Sequence, residues 1–100
     1  MYVVMNVVSV KEENAEAFEA QFLNRESHLH KADGFAGFEL LRRDCEGEYI
    51  VLSRWESKED YEAWRHGELF KLSHRHANGE LAFNSRVRNY EVVDALQPVG

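Results

Sequence analysis

Cysteine and proline are almost absent from this chain, which has one of each in 100 residues. A lone cysteine, Cys45, excludes an internal disulfide, so the fold must be stabilised by a hydrophobic core. Apolar residues make up 44% of the sequence, which is enough for one compact domain. We expect a single domain over residues 1–100, with its core at about 2–94 and a short tail at 95–100, in a reducing cytoplasm.

Long apolar runs and an excess of basic charge are also missing. No run approaches the roughly 20 apolar residues that cross a bilayer, and the N-terminus lacks the basic-then-apolar order of a signal peptide. Twelve basic residues against eighteen acidic ones give a net charge of −6, which opposes binding to phosphate backbones. We expect neither a membrane nor a nucleic acid as partner.

The common catalytic motifs are missing as well. The chain has no Gly-rich phosphate loop, no Cys-x-x-Cys pair, no His-Glu-x-x-His motif and no serine nucleophile motif. Cys45 lies between Asp44 and Glu46, whose charges oppose formation of a thiolate, so we expect it to be a bystander. An active site in this chain must use side chains that stand far apart in sequence.

The valine-rich start of the chain, Tyr2–Val10, predicts a strand with apolar residues on both faces, which is typical of a central strand. Asn6 is the exception within it. Burying an amide without a partner costs about 1–3 kcal/mol. Asn6 therefore either bonds within the core or points into a cavity.

The rest of the pattern alternates between helix and strand. It predicts a helix with Phe18 and Phe22 inward and Glu16 and Glu19 outward over Glu12–His30, strands over Phe35–Arg43, Glu48–Trp55 and Leu81–Asp94, and a second helix after Ser57. This order, β-α-β-β-α-β, indicates a ferredoxin-like α+β fold with a four-stranded antiparallel sheet. Helices cover one face of such a sheet. Apolar residues on the other face predict a homodimer, a dimeric α+β barrel.

Tryptophan and histidine concentrate between Trp55 and His76, a segment with both tryptophans and three of the five histidines. Ser57 and Asp60 form a capping-box signature at the helix start, and Gly67 is expected to interrupt the helix.

His74 and His76 stand two positions apart, so they diverge on a helix and do not suit a shared metal ion. A single imidazole can ligate haem iron, although an ordinary core or surface histidine shows the same pattern. Phe70 and His74 share a helix face, which favours His74 over His76 as a ligand. His76 could replace it if the helix is irregular.

Taken together, these residues resemble the antibiotic biosynthesis monooxygenase family, and within it the IsdG-like haem-degrading monooxygenases. The similarity spans Tyr2 to about Val93. Its markers are Asn6, Phe22 and Arg25, Gly34-Phe35-Ala-Gly37-Phe38, the Trp55–Trp64 segment, and Phe70-Lys-Leu-Ser-His74-Arg-His76. The Gly-Phe and Trp-x-Ser elements are shared by the wider family, whereas the combination of Asn6, Trp64 and His74 marks the haem-degrading branch.

The resemblance implies that haem is both cofactor and substrate, opened with O2 and electrons from an external reductant to release iron. His74 would be the proximal ligand, Asn6 would donate a hydrogen bond near the iron-bound oxygen, and Trp64 would press the porphyrin out of plane. Phe22 and Phe70 would line the macrocycle, and Arg25 would border its mouth or pair with a propionate.

Two other functions remain open from the sequence. A cofactor-free monooxygenase of the same family would oxidise an aromatic small molecule, with asparagine, tryptophan and tyrosine side chains positioning substrate and oxygen. A non-catalytic haem carrier or sensor would bind haem and leave it intact.

Overall fold

The computed structural model describes residues 1–24, 28–45, 47–68 and 82–98 of the chain. Its elements are β1 (Tyr2–Val10), α1 (Ala15–Asn24), β2 (Phe35–Arg42), β3 (Glu48–Trp55), α2 (Lys58–Arg65) and β4 (Ala82–Glu91). The strands form an antiparallel sheet in the order β2-β3-β1-β4. This is the strand order of a ferredoxin-like fold, so the predicted fold class is confirmed. None of the helices in these ranges is long and apolar enough to cross a membrane.

β1 is a central strand of the sheet, as its two apolar faces predicted. It pairs with β3 on one side and β4 on the other, and Asn6 stands opposite Val51 of β3 and Val87 of β4. Side chains alternate along a strand, so the even-numbered residues of β1 face the helices and the odd-numbered ones face away.

The first helix is shorter than its sequence pattern predicted. A 3-10 turn leads into α1, which ends at Asn24, and a separate 3-10 turn covers Leu29–Lys31. In that turn the backbone N–H of Lys31 donates to the carbonyl of His28 at 3.0 Å, three residues earlier instead of four. The predicted helix over Glu12–His30 is therefore wrong at its C-terminal end.

The connection from β3 into α2 follows the predicted cap. The Ser57 hydroxyl oxygen accepts the backbone N–H of Asp60 at 3.1 Å and the hydroxyl donates to the Asp60 carboxylate at 3.0 Å. α2 ends at Arg65, just before Gly67, as predicted. Gly34 lies against this cap with φ +77°, and a Cβ at this position would collide with the Asp60 carboxylate, so only glycine fits there.

Two hydrophobic clusters lie between the helices and the sheet. The first cluster consists of Tyr2, Val4, Leu29, Trp55 and Trp64, and the second cluster of Val8, Val10, Phe18 and Tyr49. Asn6 comes between Val4 and Val8 on the same face of β1. The core is therefore divided at the one polar residue that β1 presents to the helices.

The other side of the sheet is the open face, since the helices pack on the first side. On β1, β2 and β3 it carries the apolar residues Val3, Met5, Val7, Leu41, Ile50 and Leu52. Val3 and Leu52 are buried, whereas Leu41 is 38% exposed. A single copy of the chain leaves this sheet open rather than closed into a barrel.

The last strand is shorter than predicted. β4 ends at Glu91, three residues before the predicted end at Asp94. Val87 is 61% exposed and Val93 is 97% exposed, so neither contributes to the core. Both lie at the margin of the fold because β4 is an edge strand and the chain leaves the sheet after it.

Candidate functional site

Asn6 is placed where its amide needs a partner that the described residues do not provide. The amide oxygen, Oδ1, is buried and has no hydrogen-bond partner among the described residues. Most buried polar groups in proteins are paired, and an unpaired one costs about 1–3 kcal/mol. The sequence left open whether Asn6 bonds within the core or points into a cavity. No described residue forms a core hydrogen bond with its Oδ1. The amide instead suits a ligand placed on the helix side of β1.

The two clusters that adjoin Asn6 along β1 both contain aromatic rings. Trp64, on the inner face of α2, is buried in the first cluster, and its ring centroid lies 6.1 Å from that of Trp55. Phe22, on α1, packs on the second cluster, 5.1 Å from Phe18 and nearly parallel to Phe38 at 6.5 Å. Flat rings in the clusters before and after a buried amide are suited to hold a flat apolar ligand.

The edge beyond Asn6 is the exposed side of this arrangement. Val87 of β4 stands opposite Asn6 and is 61% exposed, and its neighbours Ser85 and Asn89 on the same face are exposed too. No described helix covers this strip of the sheet. A ligand bound against Asn6 would therefore find free sheet surface on the β4 side.

A cavity of about 250 Å³ lies at the break that Gly67 makes after α2. Trp64 forms part of its wall, but Asp33, Asp60 and Glu68 supply three carboxylates against the single ammonium of Lys31. An acidic lining repels the carboxylates of a porphyrin. The helix break adjoins a cavity, but the acidic charge of its described lining makes the surface at Asn6 the better porphyrin site.

Glu19 ties α1 to the sheet near Phe22. Its carboxylate accepts a hydrogen bond from the Tyr49 hydroxyl. It also forms an ion pair with Arg42, with 3.0 Å between Oε2 of Glu19 and Nη1 of Arg42. These partners lower the pKa of Glu19, the Tyr49 hydrogen bond most. Burial, followed by the hydrogen bond to Glu19, raises the pKa of Tyr49 to about 12. Glu19 was predicted to point outward with Glu16, and that prediction is wrong because the partners lie on β2 and β3, far away in sequence.

The lowered pKa of Glu19 predicts a pH-dependent contribution to stability. A carboxylate with a depressed pKa in the folded state stabilises the fold above its unfolded pKa, about 4.3, and loses that effect as the pH falls through the folded value. We expect wild type to be more stable than Glu19→Gln at pH 7, with the difference shrinking at pH values below about 4.3. Urea unfolding across this pH range measures it.

The matched control for this prediction is Glu16→Gln, an exposed glutamate on the same helix. Equal pH dependence of the two variants relative to wild type would contradict the role given to Glu19.

The structure brings three of the predicted site residues to the helix side of the sheet: Asn6, Phe22 and Trp64. Arg25, Phe70 and His74 lie outside the described residues, as does the alternative ligand His76. Their roles stay predictions. In the part of the chain that the structure describes, no group of three or more histidine, cysteine or acidic side chains could hold a metal ion. The lone cysteine, Cys45, is exposed, and its bystander role stays a prediction.

Comparison with known proteins shows the family of the chain. Residues 1–76 match the antibiotic biosynthesis monooxygenase family. The chain is 31% identical over 93 residues to a mycobilin-producing haem oxygenase of Mycobacterium tuberculosis, across 91% of this chain and 88% of that protein. It is 25% identical over 104 residues to a haem-degrading monooxygenase of Bacillus thuringiensis, across 99% and 96% of the two chains.

A solved structure gives the same assignment. The haem degrader MhuD of Mycobacterium tuberculosis, determined with two haems bound in its active site, superposes with a TM-score of 0.83 at 28% identity. The superposition covers 97% of this chain and 100% of that one. The chain therefore belongs to the antibiotic biosynthesis monooxygenase family, and its similarity within that family is to the IsdG-like haem-degrading proteins.

Proposed function

We propose that this protein is a haem-degrading monooxygenase that binds haem as its substrate. The ring would be opened with O2 and electrons from an external reductant, and iron would be released. The observation that carries the proposal is the amide of Asn6 on the helix side of β1, whose buried oxygen has no hydrogen-bond partner among the described residues and whose NH2 group is the donor that the proposal uses. Asparagine is also the residue that marks this position in the haem-degrading branch.

The fit to haem rests on the surroundings of that amide. The first cluster contains Trp64, Phe22 packs on the second, and the exposed face of β4 leaves free sheet surface beside them. A porphyrin needs a flat apolar wall, and the rings of the two clusters would supply it. Bound haem would supply the iron that activates O2 and the ring that is opened.

Each residue of the proposed site has a distinct role in this function. Asn6 would donate a hydrogen bond from its NH2 group to oxygen held in the pocket, Trp64 would press on the macrocycle, and Phe22 would pack against its edge. His74 would hold the haem iron, and Phe70 would line the macrocycle. Arg25 is proposed to border the mouth or neutralise a propionate. The external reductant remains unspecified, and a reducing cytoplasm is the proposed location.

Hemin titration of wild type beside His74→Ala tests the proposal. We expect a Soret band with 1:1 stoichiometry in wild type, followed by loss of that band on addition of ascorbate in air. Mutation of a residue that merely hydrogen-bonds to a metal ligand lowers metal affinity by about 10–100-fold. Removal of the ligand itself should therefore weaken hemin binding by at least about 100-fold.

His76→Ala is the matched control, because it removes an imidazole two positions away and should leave binding intact. Retention of both affinity and turnover by His74→Ala would falsify the assignment. A wild type that binds no hemin would favour the cofactor-free monooxygenase, and one that binds hemin without loss of the Soret band would favour a carrier.

We also propose that the protein is a homodimer formed through the open face. This face carries six apolar residues on the strands β1, β2 and β3, and it is rimmed by charges, including the ion pair of Arg54 with Glu39 at 3.4 Å. In a twofold dimer the open face of one copy would pack against the open face of the other, and the two sheets would close into a barrel.

Light scattering at micromolar concentration tests the dimer. We expect twice the chain mass for wild type and the monomer mass for Met5→Glu, which places a charge in the middle of the open face. Val87→Glu places the same charge on the helix side and should remain dimeric. A monomeric wild type would contradict the proposal.

A further inference from the structure

A connected series of aromatic rings leads away from the proposed haem site. The ring centroid of Trp64 lies 6.1 Å from that of Trp55, which lies 5.7 Å from Tyr61. Tyr61 in turn lies 6.0 Å from Tyr2. Rings at these separations are in direct contact, packed edge to face or tilted.

The rings of Trp64, Trp55 and Tyr61 connect the proposed site with the surface. Trp55 is fully buried and Trp64 is 8% exposed, whereas Tyr61 is partly exposed on α2. The two tryptophans are the only ones in the chain. Indole and phenol are the side chains besides thiols that give up one electron most easily, and electron tunnelling between rings in contact is fast. At neutral pH a tyrosine that loses its proton on oxidation is a better final donor than tryptophan.

The opposite wall of the proposed site has a different composition. Phe18, Phe22 and Phe38 stack there, and phenylalanine is not oxidised under biological conditions. Tyr49 contacts this group through Phe18, at a centroid distance of 4.8 Å. The readily oxidised rings in contact with one another thus lie on the Trp64 side.

We propose that Trp64, Trp55 and Tyr61 form a route by which oxidising equivalents leave the haem pocket and reach the protein surface. The inference rests on the proposed function, because that function places an oxygen-activating substrate against Trp64. An oxidant formed from peroxide without ring opening would otherwise attack the pocket itself. The route would protect Asn6, Trp64 and the axial histidine from such damage.

Electrons and protons balance along this route. One electron moves from Tyr61 to Trp55, from Trp55 to Trp64, and from Trp64 to the oxidant, while the Tyr61 phenol releases its proton to water. Burial raises the pKa of Tyr61, so the phenol keeps its proton until the electron leaves. Two such passages, with two protons from water, reduce one hydrogen peroxide to two waters. A surface reductant such as ascorbate or a thiol returns each phenoxyl radical to tyrosine.

Pulse radiolysis of the haem-free protein tests the route. Azide radicals oxidise tryptophan in preference to other side chains at neutral pH, so the initial indolyl radical must form at Trp55 or Trp64. We expect the indolyl absorption to decay as a phenoxyl absorption rises, in a first-order phase whose rate does not depend on protein concentration. This phase should be lost in Tyr61→Phe.

Two control variants separate the route from other transfers. Tyr90→Phe removes a tyrosine that is 46% exposed on the open side of β4, and it should keep the phase. Trp55→Phe keeps a ring at the buried position but removes the intermediate donor. A circular dichroism spectrum that matches wild type would show that this variant is folded, and the first-order phase should then be lost in it. Persistence of the phase in Tyr61→Phe, at the wild-type rate and amplitude, would overturn the proposal.

A second experiment tests whether an oxidant formed in the haem pocket takes its electrons from Tyr61 through this route. Hemin-loaded wild type treated with hydrogen peroxide should give a tyrosyl signal by electron paramagnetic resonance, absent in Tyr61→Phe. In that variant mass spectrometry should find more oxidised Trp64. A hemin-binding wild type without the tyrosyl signal would overturn the link to the pocket. A protein that binds no hemin but shows the radiolysis phase would overturn the proposed function while supporting the route itself.

Discussion

Asn6→Leu is expected to stabilise the haem-free protein and to abolish most of its haem turnover. Leucine has the same branching as asparagine, but it buries no oxygen without a partner at the division between the two clusters. Removing that unpaired group should raise the free energy of unfolding by about 1–3 kcal/mol. Loss of a hydrogen-bond donor at a reacting oxygen should lower the turnover rate on the order of 10²-fold. Urea unfolding and Soret loss with ascorbate measure the two effects.

The opposite signs of these effects are what identify a functional residue, because a structural one loses stability when it is replaced. Asn89→Leu is the matched control for stability. Asn89 lies on the same face of the sheet, but it is exposed, so its amide is already hydrated and its replacement should change stability by less than about 0.5 kcal/mol. A destabilised Asn6→Leu with intact turnover would mean that Asn6 serves the fold alone.

Trp55→Ala should have the largest effect on stability of any substitution considered. The side chain is fully buried and its ring lies 5.7 Å from Phe35 and from Tyr61 and 6.1 Å from Trp64. Its Nε1 also donates a hydrogen bond to the Ser53 hydroxyl at 3.0 Å. Truncation of such a residue costs about 3–5 kcal/mol, against a total stability of about 5–15 kcal/mol for a typical domain. Urea unfolding followed by circular dichroism measures the cost.

Val93→Ala is the comparison, since Val93 is 97% exposed and its truncation removes no packing. Its free energy of unfolding should stay within about 0.5 kcal/mol of wild type. Equal and small costs for the two substitutions would show that the first cluster is not the principal core.

The strands were predictable because their signal is local. A run of β-branched residues between turn residues indicates a strand whatever its partners, and β3 was predicted at its observed bounds, Glu48–Trp55. The first helix was extended too far for the opposite reason. Leu29 continues the apolar spacing of α1 and is indeed buried, but it reaches the first cluster from a 3-10 turn rather than from the helix. Apolar spacing identifies which residues are buried more reliably than the element that carries them.

The candidate site was predictable only in part. Asn6 stood out as an amide among valines, and Trp64 by its place on the inner face of α2. The link of Glu19 to Tyr49 left no signal, because the two residues are thirty positions apart and a glutamate on a helix surface is unremarkable in sequence. The division of the core at Asn6 was equally hidden. It depends on where Tyr49 and Trp55 fall in the register of β3.

The position of β1 in the sheet also sets the order in which the fold can be completed during synthesis. β1 precedes the other described strands in the chain, yet it pairs with β3 and with β4, the last of them. One side of β1 can be paired once β3 has emerged from the ribosome, but its other side stays an open valine-rich edge until β4 follows. Open edges of this kind can pair with other chains. A nascent chain is therefore most vulnerable to aggregation in the interval between the synthesis of β3 and that of β4.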